Sequence, residues 1–160
     1  MGLITSVLFV GLIQSPEILA RMYARRGVVM AILGVLNILG AFMIPSDFRS
    51  ETWAFPGLIA CGIVTLAASG CCFMVSSRRG AEATQFAMYT LAAFVLRTLF
   101  YLSLDATNLS NGYYDGADYI LIVLQVALSA AYLYFLFIGY QKWRAFGDGS
   151  GAPLAGNSAV

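Results

Sequence analysis

Four stretches of the chain are almost wholly apolar: 27–46, 53–77, 83–104 and 119–141. Each is close to the run of about 20 residues that an α-helix needs to cross a bilayer core. Short polar segments separate them, around Asp47–Glu51, Ser76–Gly80 and Asp105–Asp118. The pattern predicts an all-α integral membrane protein, with four transmembrane helices in an antiparallel bundle over 27–144. A short N-terminal interfacial helix is expected within an amphipathic segment, 1–26, and a C-terminal tail over 145–160.

Details at the boundaries refine this frame. Met1–Ile13 is apolar but too short to span, so it is read as lying in the interface. Ser15-Pro16-Glu17 is a helix start: a capping residue, proline in the first turn, and an acid at the positive end of the helix dipole. That helix is expected to run on through Gly27 into the first span, which Pro45 stops. Gly147–Val160 is rich in Gly, Ala and Ser; order in such a tail would imply a partner.

The second span is lined with small residues, including Ala60, Gly62, Ala68 and Cys72, and Cys61, Thr65 and Ser69 recur every four residues. Without a hydrophobic drive between helices in lipid, small residues mark where backbones come close. Gly34, Cys61, Thr65 and Ser69 are therefore candidate packing positions, against a helix of this chain or of another protein. The fourth span ends in Tyr132, Tyr134, Phe135, Phe137, Tyr140 and Trp143, with Lys142 and Arg144 among the last of them. Amphipathic rings settle at the headgroup level, so Tyr140 and Trp143 are read as an interfacial anchor.

One position breaks the apolar pattern. Arg97 sits inside the third stretch, roughly 11 Å from its Leu104 end. A charge in mid-helix costs about 2.5–3.5 kcal/mol on insertion scales, and such residues face the bundle interior. Snorkelling to the near surface runs against the lean of helical side chains toward the N-terminus. Depth suggests partners: Gln125 lies roughly 9 Å below the same surface and Asn37 roughly 14 Å. Tyr101 follows Arg97 by four, on the same face. An intramembrane cluster of Arg97, Gln125 and Asn37, with Tyr101 above it, is expected. Its plainest use is an interhelical clamp; a lipid-headgroup or partner-subunit contact is the other, since one arginine does not make a pore.

Composition narrows the chemistry. The chain is 60% hydrophobic and 11% charged, with mean hydropathy +0.80. Net charge is +1, which leaves no nucleic-acid footprint. There is no histidine, which removes imidazole ligands and the commonest general base. No cofactor or metal is expected, although a bound lipid, or a pigment held through Gln125, Asn37 or a water, stays open. The three cysteines all lie in the second span and read as small packing residues. Cys71 and Cys72 lie near enough to the Arg78–Arg79 surface for S-palmitoylation, and Gly2 fits a loose myristoylation pattern.

Arg21, Arg25, Arg26, Arg78, Arg79, Lys142 and Arg144 flank one side of the spans and Arg49 the other. The positive-inside rule then puts both termini on the cytoplasmic, matrix or stromal side, with an internal organelle membrane as the expected site. No metal-spaced cluster, phosphate loop or activated nucleophile points to catalysis. The expected role is a non-catalytic structural or accessory subunit of a larger membrane complex, with other membrane subunits and lipids as partners.

Thr90–Leu104, containing Arg97-Thr98-Leu99-Phe100-Tyr101, resembles the third-span signature of the COPI-associated Golgi membrane proteins. That family's usual glycines flanking the arginine are replaced by Leu96 and Thr98, and Ser76-Ser77-Arg78 stands where an acidic residue is expected. The resemblance covers about 15 residues. It implies a free-standing four-span trafficking or scaffold protein with both ends cytosolic, and would make Arg97 and Tyr101 its polar core.

Overall fold

The computed structural model describes residues 15–46, 53–112 and 116–147. The interfacial helix expected at the N-terminus, Gly2, the 47–51 loop and the tail beyond 147 lie outside the described residues. Four helices follow one another: α1 (Pro16–Met43), α2 (Ala54–Ser77), α3 (Gly80–Ser110) and α4 (Gly116–Gly147). All four are long and apolar enough to cross a membrane. They carry many exposed large apolar side chains, such as Ile32, Leu36, Ile63, Leu99 and Leu121. Such a surface suits hydrocarbon rather than water.

The helix ends follow from local chemistry. α1 is continuous through Gly27 and stops at Ile44, which is extended because Pro45 follows it. α2 and α3 are joined by a two-residue turn, Arg78–Arg79, and α3 opens on Gly80 at φ +60°, a conformation suited to glycine. α3 was expected to end near Leu104 but continues to Ser110. Its polar last turns bond to themselves: Thr107 Oγ1 donates to the Ser103 carbonyl at 2.9 Å and Ser110 Oγ to that of Thr107 at 2.8 Å. Gly112, at φ +70°, closes the end with its N–H on the Leu109 carbonyl. Asp105 is thus helical rather than part of a loop.

Neighbours in sequence pack side by side, α1 on α2, α2 on α3 and α3 on α4, with α1 and α4 meeting little. The tightest approach is between α1 and α2. A side chain at Gly62 would sit 2.9 Å from the Gly34 carbonyl oxygen, so the two backbones touch there. The buried core lies toward one end of the bundle: Leu19, Tyr23 and Met30 of α1, Cys72 and Val75 of α2, Ala83, Ala87 and Phe94 of α3, and Phe135, Leu136 and Trp143 of α4. The first half of α4 stands clear of this core. Ile120 and Val123 are 71% and 69% exposed, and Leu121, Leu124 and Leu128 are exposed as well.

Candidate functional site

Arg97 lies near the middle of α3, about 26 Å from one end and about 20 Å from the other. Its side chain runs toward α2, where Nε donates to Thr65 Oγ1 at 3.0 Å. The Thr65 hydroxyl in turn donates to the Cys61 carbonyl at 2.6 Å, so one hydroxyl serves as acceptor and donor at once. The guanidinium carbon lies 5.2 Å from the Phe94 ring centroid and 4.6 Å from that of Tyr101, residues one turn before and after it. Ring faces carry negative charge density and attract the cation. Among the described residues Arg97 has no carboxylate partner, and its two Nη nitrogens make no hydrogen bond.

The expected layer of three is rearranged. Asn37 receives its hydrogen bond from the Tyr101 hydroxyl, not from Arg97, and its buried Nδ2 has no partner among the described residues. Gln125 Nε2 donates to Asp105 Oδ2 at 3.1 Å. A carboxylate is the stronger acceptor for an amide N–H, and α3's extra turns carry Asp105 within reach. Thr65, read from the sequence as a packing residue, is the acceptor that holds the guanidinium. Its depth gives it away: it is about 17 Å from the start of α2, level with Arg97 in the antiparallel neighbour.

A second arginine is buried. Arg26, one of the flanking basic residues, is 5% exposed. Its guanidinium lies 5.0 Å from the Tyr132 ring and 4.9 Å from that of Phe135. Tyr132 is stacked on Phe94 at 4.9 Å and 20°. One ladder of cations and rings therefore runs Arg26, Tyr132, Phe94, Arg97, Tyr101 and ends on Asn37, tying α1, α3 and α4 together. The signal for Arg26 was its register: it shares the buried stripe Leu19, Tyr23, Met30, while Arg21 and Arg25 do not. Tyr132→Leu removes a stack and a cation contact together. It is expected to lower the free energy of unfolding in mixed detergent micelles by about 1.5 kcal/mol, with Tyr132→Phe close to the parent.

Between α1, α3 and α4 lies a groove of about 630 Å³. Val29, Met30 and Leu33 form one wall and Leu121, Leu124 and Leu128 the other, with Thr65, Arg97, Tyr101 and Gln125 supplying its polar atoms. The first half of α4 is largely exposed and the helix makes little contact with α1, which leaves the groove open. Among the described residues Arg97 is the one charged residue lining it.

The small-residue face of α2 is used inside the bundle. Cys61, Thr65 and Ser69 are buried, and Ser69 Oγ donates across to the Gly27 carbonyl of α1 at 2.7 Å. Gly34 marks the α1–α2 crossing described above. Ser69→Ala removes that bridge and is expected to cost about 0.6 kcal/mol in the same unfolding assay. Cys72 is buried with Sγ 3.9 Å from Met30 Sδ, whereas Cys71 is partly exposed. The anchor expected of Trp143 is not formed at a lipid surface. Trp143 is 3% exposed and packs edge-on against Phe146, because it continues the inward stripe of Tyr132, Phe135, Leu136 and Gly139. Tyr140 is half-buried beside it, and Tyr134 and Phe137 are the rings turned outward. No protein-family model, curated protein or solved structure matches the chain.

Proposed function

We propose that the chain is a non-catalytic accessory subunit of a larger membrane complex, and that the groove between α1 and α4 receives a helix of another membrane protein. The observation that carries this is Arg97: a guanidinium with unfilled donors, in an apolar groove, far from either end of its helix. Burying a charge without a counter-charge is costly, and a partner that brings an acceptor removes that cost. Depth favours a helix over a lipid. Headgroup phosphates stay at the bilayer surface, whereas a carboxylate or amide on a partner helix can lie level with Arg97. The apolar first half of α4 supplies the rest of the contact.

The basic flanks would lie on the cytoplasmic, matrix or stromal side of an internal membrane. A second reading is a free-standing trafficking protein of the COPI-associated kind. It draws support from the stacking of Arg97 on Tyr101, the pair that the resemblance makes the polar core. Solubilisation in mild detergent and a native gel separate the two. A subunit migrates with a large assembly, and a free-standing protein migrates at the size of the chain with its micelle.

A further inference from the structure

At the end of the bundle opposite the free half of α4 is a second cavity, of about 370 Å³. The start of α1, the α2–α3 turn and the end of α4 meet around it. Arg21, Arg78 and Arg79 line it, with Glu17 as the one acid among the described residues that do so. Arg78 is partly engaged, its Nη1 lying 3.2 Å from Glu82 Oε2, and both side chains are well exposed. Arg21 and Arg79 make no hydrogen bond or ion pair among the described residues. Two helix N-termini also open here, at Pro16 and Gly80, and neither has a side-chain cap on its backbone N–H groups. Each adds a partial positive charge and unfilled donors.

An independent observation points the same way. Trp143 forms part of the cleft wall, is 3% exposed, and its buried Nε1–H has no acceptor among the described residues. A buried indole N–H normally finds one. The cleft thus combines an unsatisfied neutral donor, two uncapped helix starts and an excess of guanidinium. All of these favour an acceptor-rich anion.

We propose that this cleft binds the phosphate group of an anionic membrane lipid. The location selects a lipid source. The cleft lies at the turn between two spans, where headgroups are, and basic pockets between transmembrane helices on the positive side suit phosphorylated headgroups. Trp143 and Phe146 give the glycerol and upper chain an apolar wall.

The test uses the purified full chain with Trp53→Phe, so that emission reports on Trp143. Dioctanoyl phosphatidic acid is expected to shift that emission saturably, and dioctanoyl phosphatidylcholine to leave it unchanged. Arg21→Gln and Arg79→Gln, at exposed positions, are each expected to weaken binding about fivefold with the circular-dichroism spectrum unaltered. Inorganic phosphate is the arm that separates sources, and is expected to bind far more weakly than the lipid. Equal affinity for inorganic phosphate would overturn the lipid assignment. Equal affinity for the neutral lipid, or unweakened binding by both glutamine variants, would overturn the site.

Discussion

Replacing Arg97 with leucine is expected to release the chain from its assembly. On a native gel of detergent-solubilised membranes, the parent is expected to migrate with a large complex, as the proposed role requires, and Arg97→Leu at the size of the free chain. The isolated variant should melt within a few degrees of the parent. Inside the bundle Arg97 contributes one hydrogen bond to Thr65 and two ring contacts, against the cost of holding a charge in an apolar groove. Leucine removes both sides of that balance at once. Arg97→Lys keeps the charge but loses the Nε bond and the planar stack, so assembly should be weakened rather than lost. If Arg97→Leu still migrates with the complex and melts lower, the guanidinium is an internal clamp and the proposed docking groove is wrong.

Gly62→Leu is expected to have the largest effect on the fold itself, about 3 kcal/mol or more. Even a Cβ at this position would press within 2.9 Å of the Gly34 carbonyl oxygen. It would also meet the Ile38 side chain, which can turn aside, but the carbonyl is backbone that no rotamer change relieves, so α1 and α2 must separate along their crossing. That separation also strains the Ser69 bridge to Gly27. Gly70→Leu, where a side chain meets open space, is the control and should be nearly silent. Unfolding in mixed micelles measures both. A Gly62→Leu protein as stable as the parent would mean that the crossing is looser than described.

The architecture was legible because hydrocarbon imposes a length and a hydropathy on every spanning helix. The partners inside the bundle were harder to read. Hydropathy fixes the depth of a residue but not the direction in which its helix is rotated, and a helix apolar on all sides carries no stripe to orient it. Gln125 reads from the sequence as a partner of Arg97, yet the extra turns of α3 give it Asp105 instead. Thr65 reads as a small residue, and nothing in its spacing marks its hydroxyl as the acceptor it becomes. Arg26 reads with its neighbours Arg21 and Arg25 as a flank. Three- and four-residue spacing from Tyr23 and to Met30 sets it apart from them.

The source of the Thr65 hydroxyl also has a bearing on biogenesis. Spans emerge from the ribosome in order, so α2 is made before α3 and α4 comes last. Arg97 finds its acceptor on the span already delivered, and its two ring faces on its own helix. Had the acceptor come from α4, the charge would have stood bare in hydrocarbon until synthesis of the final span. As built, α2 and α3 can enter together as a hairpin that already gives Arg97 one acceptor.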